Sequence, residues 1–413
     1  MYNTLQRINT RQIYPYGLEN NMKYWKQLLA LFLSGAMALS LFACNSDNPG
    51  ESGYTDANSS AEVSGSPEPS ATPAIEADLS QSALQFAVGL SPDDVLLTVN
   101  GQDVKADVFC YLLGQACGQT QQYLSYFGMN LSDMPDMAAD LLERGVNLSL
   151  YHTLVRLKAA ELGCLLTDDQ TAEVKSAMDE ADLEHIAPLW DLTGEGVQFV
   201  FEMNPYYENL LDAVTHDPSA QELDEYLESR GVFSVKHILL MTVDQATQEP
   251  LSSEEIAEKK TKAEDLLAQL QAAEDLPAKF DELMQANSED SGLETNPDGY
   301  VFTDDDNLVG GFREAALELK EGEMSGIVET DYGYHIMLRL PLTDETKDGY
   351  KEDCRMDALD EQMEKWIEEA EVVRADALGE LNAVEFYSRL AAYQQALSAQ
   401  QAADAPAESG AVG

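Results

Sequence analysis

Two apolar runs that each carry one histidine constrain the fold of this chain more than any other feature. The first run is Val-Lys-His-Ile-Leu-Leu from Val235, and it contains His237. The second run is Tyr-Gly-Tyr-His-Ile-Met-Leu-Arg-Leu from Tyr332, and it contains His335. Both runs are rich in Ile, Leu, Val and Tyr, which favour β-strands. We therefore predict that they form paired strands.

The segment between these runs carries signals for helices and for a further strand. Ser252 is followed three residues later by Glu255, the spacing of a helix capping box, and apolar residues then recur at helical intervals. We expect a second short helix around Phe280, a strand at 299–302 and a helix at 312–319. This mixture predicts an α+β unit.

Several separately spaced phrases in this region resemble the parvulin-type peptidyl-prolyl isomerases. They are Val-Lys-His-Ile-Leu, Asn-Ser-Glu-Asp, Phe-Arg-Glu-Ala-Ala, Leu-Lys-Glu-Gly-Glu-Met-Ser and Tyr-Gly-Tyr-His-Ile. The resemblance covers residues 231–343 and implies a small antiparallel sheet surrounded by helices. It also implies peptidyl-prolyl cis-trans isomerase activity, which requires no cofactor and no metal.

The resemblance assigns roles to individual residues of this sequence. His237 and His335 match the family's paired histidines, which hydrogen-bond to each other. Asp290 falls where the family carries a cysteine or an aspartate facing the substrate carbonyl, so these three residues are the expected catalytic residues. Phe312 matches a phenylalanine of the proline pocket, and Leu308 stands where a methionine is usual. The expected substrate-binding residues are Leu308, Phe312 and Tyr332.

One turn departs from the family pattern. The family commonly has Gly-Gly-Asp-Leu-Gly before its second strand, whereas this chain has Asn-Pro-Asp-Gly-Tyr at 296–300. The altered turn favours an alternative function, a non-catalytic holdase chaperone that uses the parvulin module as a peptide-binding scaffold. Residues 241–258 contain no Lys or Arg, so we expect phosphorylated Ser-Pro sites to be repelled.

The charge of the chain excludes one class of partner. Its 24 basic and 75 acidic residues give a formal net charge of −51. Such a surface repels phosphate backbones, so we expect no nucleic-acid partner. We interpret the charge as a means of keeping the chain soluble beside a membrane; a preference for basic clients or bound cations is the alternative. The cysteines fit neither a disulfide framework nor a zinc pattern.

The first 43 residues have the features of a lipoprotein signal peptide. Lys23 and Lys26 precede an apolar run at 28–43 that has the length of a signal-peptide core, and Met22 is an alternative start. The run ends in Leu-Phe-Ala-Cys, which resembles a bacterial lipobox with Cys44 as the lipidated residue. Residues 44–90 contain few large apolar side chains and are expected to form a disordered tether.

The regions on either side of the parvulin-like core read as mainly helical. Residues 91–230 carry apolar stripes at helical spacing, and one stripe comprises Val108, Leu112, Ala116, Tyr123 and Tyr126. The phrases Val-Asn-Gly-Gln-Asp-Val and Glu-Leu-Gly-Cys-Leu-Leu-Thr-Asp-Asp-Gln in this region loosely resemble the chaperone region of exported foldases of the PrsA and SurA class. Residues 344–393 carry a further one-sided stripe, which we predict packs on the N-terminal region. Residues 394–413 read as a flexible tail. The predicted fold class is therefore α+β, with the parvulin-like core inserted in a mostly α-helical chaperone domain.

Together these features predict a lipid-anchored isomerase on the extracytoplasmic face of a bacterial membrane. Its expected partners are unfolded or partly folded exported proteins with X-Pro bonds, and Cys44 is the expected link to the membrane. A third possibility is a lipoprotein that binds a small solute. That class predicts two lobes of alternating strands and helices, which the helical flanks do not favour.

Overall fold

The computed structural model describes residues 75–247, 249–303, 306 and 308–404. The predicted signal peptide, Cys44, residues 45–74 of the predicted tether and residues 405–413 lie outside the described residues. The tether prediction is wrong for 83–88, which form a helix because Leu84 and Phe86 are buried. The tail prediction is wrong for 394–404, which continue the last helix of the described chain. The described chain divides into two compact units. Residues 75–216 and 357–404 form the flanking unit, and residues 217–356 form the central unit. Within the described residues, no helix combines the length and the apolar character needed to cross a bilayer.

Helices make up most of the flanking unit. The first part of the chain forms α1 Ala83–Val88, β1 Val95–Val99, β2 Gln102–Lys105, α2 Ala106–Ser125, α3 Ala138–Leu162, α4 Asp168–Glu180, α5 Leu183–Trp190 and α6 Gly194–Val214. Glycines allow the helices of this unit to approach closely. A Cβ atom at Gly145 of α3 would lie 3.0 Å from Cδ1 and 3.4 Å from Cα of Leu113 on α2, so a larger residue would require Leu113 to shift.

The C-terminal segment completes this unit with helices and one strand. Its elements are α12 Lys351–Glu369, β7 Val372–Arg374, α13 Asp376–Gly379 and α14 Ala383–Asp404. Phe386 and Leu390 of α14 are buried, and the Arg389 guanidinium donates to the carbonyl of Phe86. In α12, the ring of Trp366 lies 5.4 Å from Nζ of Lys158 on α3. The C-terminal segment therefore packs on helices from the beginning of the chain.

The strand β7 departs from the sequence prediction, which assigned only helix to residues 344–393. β7 pairs antiparallel with β1, and β1 pairs with β2, so the sheet order is β2-β1-β7. The two valines of β7 favour an extended backbone, and its pairing satisfies backbone groups along the free edge of β1. A strand of three residues is too short to show a periodic pattern in the sequence.

The central unit is built around a four-stranded antiparallel sheet of order β4-β3-β6-β5. Its elements are α7 Ala220–Ser229, β3 Phe233–Met241, α8 Ser253–Gln271, α9 Leu276–Asn287, β4 Tyr300–Phe302, α10 Gly310–Glu318, β5 Val328–Thr330, β6 Gly333–Leu340 and α11 Asp344–Gly349. Ile238 and Ile336 face a core formed with α8 and α9, whereas Val235 and Met337 face a smaller core formed with α10. This sheet confirms the predicted α+β class with a parvulin-like core.

Local predictions within the central unit are also confirmed. Ser252 caps α8, and Ser252 and Glu255 form both reciprocal bonds of a capping box. Phe280 is fully buried on α9. The predicted strand and the predicted helix that follows it appear as β4 and α10.

The predicted apolar stripe of α2 is wrong at the C-terminal end of this helix. The apolar stripe of α2 was expected to continue from Val108 and Leu112 to Tyr123 and Tyr126. Val108 and Leu112 are buried, whereas Tyr123 is 51% exposed and Tyr126 is 78% exposed. The helical spacing continues along the sequence, but the rings of Tyr123, near the end of α2, and Tyr126, directly after it, lie in solvent.

Candidate active site

The pairing of β3 with β6 brings the two predicted histidines together. His335 lies opposite Leu239, two residues beyond His237 on the same strand. Since side chains on a strand alternate between its two faces, both imidazoles point to the same side of the sheet. Their Nδ1 atoms are 3.2 Å apart, and their rings stack with an interplanar angle of 16°.

The loop after α9 carries Asp290 to His237. Oδ2 of Asp290 lies 3.0 Å from Nε2 of His237, and Oδ1 accepts a hydrogen bond from the backbone N–H of Gly292 at 3.0 Å. The loop is held against β3, where the N–H of Leu239 donates to Ser288 and the N–H of Met241 donates to Glu289. Strand backbone therefore fixes the position of the carboxylate.

Thr330 extends this arrangement at the other end. Its hydroxyl lies 2.9 Å from Nε2 of His335. Thr330, His335, His237 and Asp290 thus form one continuous series of hydrogen bonds, which we name the polar chain. The side chains of His237 and Asp290 remain 13% and 17% exposed, so the Asp290 end of the polar chain is open to solvent.

Burial and charge determine where the protons of the polar chain reside. Burial, followed by the nearby His237, lowers the pKa of His335 to about 3, so this imidazole is neutral near pH 7. Hydrogen bonds, the largest from His237, hold the pKa of Asp290 well below its usual value. An ionised Asp290 accepts from Nε2–H of His237. The neutral His335 carries one N–H, so it donates in one of its two contacts, to Nδ1 of His237 or to the Thr330 hydroxyl, and accepts in the other.

An apolar wall lies against the polar chain. The ring of Phe312 on α10 is 5.2 Å from the His237 ring and 5.2 Å from the His335 ring, and it meets both edge-on. Phe312 is 4% exposed, and Phe302 and Leu308 pack against the same core. The arrangement therefore combines an apolar surface with a carboxylate and two imidazoles.

Most of the residues singled out in the sequence lie close together. His237, Asp290, His335 and Phe312 are joined by the contacts above, and Leu308 packs in the core beside Phe312. Tyr332 differs, because it lies in the turn before β6 with 46% of its surface exposed. Among the described residues, the ring contacts of the site do not include Tyr332, and its backbone N–H donates to Thr330. Its substrate-binding role remains a prediction.

Sequence reasoning missed two residues of this site. Thr330 was not singled out, and neither was Tyr300, whose hydroxyl donates to Oδ2 of Asp290. The available signal for Tyr300 was its place at the end of the altered turn. Nothing in the pattern around Thr330 distinguishes it from an ordinary strand residue.

In the part of the chain that the structure describes, no group of three or more His, Cys, Asp or Glu side chains is arranged to hold a metal ion. Cys110 and Cys117 are buried free thiols. Burial raises the pKa of Cys117 to about 12. His152 is buried in the flanking unit, and burial lowers its pKa to about 4.

Comparison with known proteins identifies the domain that carries the polar chain. Residues 225–338 match the family described as the PPIC-type PPIASE domain. This region of the chain is a parvulin-type domain. The foldase protein PrsA of Staphylococcus epidermidis is 33% identical over 89 residues, which are 22% of this chain and 27% of that protein. The foldase protein PrsA of Clostridium botulinum is 27% identical over 221 residues, 49% of this chain and 60% of that protein.

The same comparison extends to solved structures. The crystal structure of the peptidylprolyl isomerase PrsA from Bacillus cereus matches 68% of this chain and 90% of that protein, with 15% identity and a TM-score of 0.28. The chain matches between 27% and 60% of the length of the two curated relatives named above. The parvulin-type domain is thus the part of the chain on which the family match rests.

The neutral state of His335 predicts that acid destabilises the parvulin-type domain. The pKa of His335 falls from 6.5 to about 3 on folding, so between these values the unfolded chain binds a proton that the folded chain does not. Stability therefore falls as the pH drops below 6.5, by about 1.4 kcal/mol per pH unit for one full proton. Urea unfolding of the full chain, followed through the NMR signals of Ile238 and Ile336, measures this slope.

A variant separates the contribution of His335 from other acid effects. His335→Gln is expected to make the slope shallower between about pH 6 and pH 4, because its side chain does not titrate there. His185→Gln changes an exposed histidine of the flanking unit and serves as the control. An unchanged slope in His335→Gln would contradict the neutral assignment.

Proposed function

We propose that this chain is a lipid-anchored peptidyl-prolyl cis-trans isomerase that assists the folding of exported proteins on the extracytoplasmic face of a membrane. The observation that carries the catalytic part is the polar chain with Phe312 against it: an ionised Asp290 and two hydrogen-bonded imidazoles beside an apolar wall. The match of residues 225–338 to the PPIC-type domain supports the same activity.

The reaction requires rotation about an amide bond and no covalent step. Resonance gives the C–N bond partial double-bond character and a barrier of about 18–20 kcal/mol. The charge-separated resonance form places negative charge on the carbonyl oxygen. A carboxylate near that oxygen disfavours this form, so the C–N bond loses double-bond character and the barrier falls.

Each residue of the site has its own role in the rotation of the amide bond. Phe312 and Leu308 supply apolar surface for a proline ring, which orients the bond that must turn. Asp290 supplies the negative charge, and His237 holds one of its oxygens in place. His335 and Thr330 fix the orientation of His237 from behind. No group of the polar chain has to transfer a proton during the rotation.

Removal of the negative charge tests this mechanism. Asp290→Asn keeps the shape of the side chain and is expected to lower kcat/KM at least about tenfold, since electrostatic stabilisation at such sites is worth this much or more. The measurement is the cis-to-trans relaxation of a proline tetrapeptide with the full chain. Asp281→Asn removes a carboxylate of the same domain that pairs with Lys236, and it should leave the rate unchanged. Relaxation at the uncatalysed rate with the parent chain would refute the enzymatic function.

The proposed anchor rests on the sequence alone. Cys44 follows an apolar run in a lipobox-like setting, and the sequence after it contains few large apolar side chains. In a bacterial host, Cys44→Ser is expected to abolish incorporation of radiolabelled fatty acid and to move the protein from the membrane fraction to the medium or periplasm. Cys164→Ser is the matched control. Labelling that persists in Cys44→Ser would refute the anchor.

A second candidate function, that of a holdase that binds clients through the flanking unit, is favoured by an exposed cluster in this unit. Tyr123, Tyr126, Phe127 and Met129 lie at the end of α2 and just beyond it, and each is at least 42% exposed. Residues 106–143 contain no Lys or Arg. Aromatic and methionine side chains adapt to varied apolar partners, and the acidic surroundings suit clients that also carry basic residues.

The holdase function predicts an effect that is independent of catalysis. Replacing Tyr126 and Phe127 with Ser is expected to weaken the suppression of aggregation of an unfolded basic client at least about threefold, through loss of exposed apolar surface. The same variant should retain the tetrapeptide relaxation rate. Leu165→Ser, at another exposed apolar position of this unit, is the control. Equal suppression by the parent and the double variant would refute the role of this cluster.

A further inference from the structure

We infer that Tyr300 is a positioning residue of the isomerase site, which holds the Asp290 carboxylate in place as the acceptor for Nε2–H of His237. The inference rests on the proposed isomerase function. The family resemblance assigns no role to Tyr300.

Tyr300 is fixed at both ends of its side chain. Its hydroxyl donates to Oδ2 of Asp290, the same oxygen that accepts from Nε2–H of His237. Its ring meets the His237 ring edge-on at 5.6 Å and stacks on Phe302 at 5.6 Å with an interplanar angle of 14°. The hydroxyl is therefore aimed at the carboxylate by the packing of the ring.

The altered turn at 296–300 is what delivers Tyr300 to this position. The backbone N–H and the side-chain amide of Asn296 both donate to the carbonyl of Gly292, at 3.0 and 3.1 Å. Gly299 has a φ of 102° and passes close to the backbone of Val235, and Tyr300 then pairs with Val235 at the start of β4. The substitution of the family's glycine-rich turn thus leads directly to a new donor at the site.

Gly292 leaves the space that the hydroxyl occupies. A Cβ atom at this position would lie 2.4 Å from the hydroxyl oxygen of Tyr300 and 3.5 Å from Oδ1 of Asp290. Gly292 does not have a positive φ, so its backbone could accept a side chain without strain. An alanine there would therefore act on the site by displacing the hydroxyl of Tyr300.

Tyr300 is the second side-chain donor to the Asp290 carboxyl, beside His237. The groups around its carboxyl are His237 from β3, Tyr300 from β4 and the N–H of Gly292 from its own loop, with His335 behind His237. The neighbouring Glu289 is paired with Lys259. Burial and the nearby Asp290 raise the pKa of Tyr300, so its hydroxyl stays a donor. Without it, Asp290 would take up a proton at higher pH, and Nε2 of His237 would lose its ionised acceptor.

Removal of the hydroxyl from the full chain tests this role. Tyr300→Phe keeps the ring and its stacking, and it is expected to lower kcat/KM about five- to tenfold, the size of one hydrogen bond to a charged group. The acid limb of the kcat/KM profile should move up by about one pH unit, because the carboxylate loses a donor. The carboxyl NMR signal of Asp290 should titrate with the same shift. Tyr334→Phe, in the core on the opposite face of the sheet, should change neither.

A double-mutant cycle excludes a merely structural explanation. Gly292→Ala should reproduce the loss of Tyr300→Phe, and the combined variant should lose little more than either alone, because both act through one hydroxyl. Additive losses, or an unchanged carboxyl titration in Tyr300→Phe, would overturn the inference. A parent chain without isomerase activity would instead refute the proposed function, and the carboxyl titration would still decide the role of Tyr300.

Discussion

The site depends on the register in which β3 pairs with β6. The register runs from Ser234 opposite Leu340 to Met241 opposite Gly333, and it joins strands whose two histidines are 98 residues apart in sequence. Since strand side chains alternate, a slip of one residue would turn either histidine into the core formed with α8 and α9. The apolar residues that fill that core, such as Ile238 and Ile336, therefore also determine where the imidazoles point. Packing on one face of the sheet therefore determines where the catalytic side chains lie on the other face.

The electrostatics of the site follow from this placement. His335 is buried and neutral, and the negative charge of the polar chain lies on Asp290, whose side chain is mostly buried. Removing a carboxylate from water is costly unless donors replace the lost hydration. Here a backbone N–H, an imidazole and a phenol hydroxyl supply that replacement. The charge is thus held in one place, where a substrate amide would meet it without waiting for solvent to reorganise.

The sequence predicted those parts of the fold and site that repeat or that belong to long motifs. The paired strands, the cap of Ser252 and the buried position of Phe280 all follow from local patterns. The contacts of Tyr300 and Thr330 could not be predicted in this way, because each depends on where a loop or a short strand ends relative to β3 and β6. The exposed Tyr126 shows a different limit of sequence prediction. Helical spacing predicts which residues lie on one face of a helix, but not how far along the helix that face is covered by other elements.

The altered turn bears on both candidate functions of the parvulin-type domain. From the sequence, the loss of glycines at 296–300 favoured a scaffold that binds peptide without catalysis. The structure gives the turn its own hydrogen bonds through Asn296, and it leaves the contacts among Asp290, His237 and His335 intact. Loss of the family's glycines alone does not account for a hydrogen-bond donor that points at the Asp290 carboxylate. The altered turn therefore no longer argues against catalysis. Removal of the negative charge of Asp290 distinguishes the isomerase from a scaffold that binds peptide without catalysis.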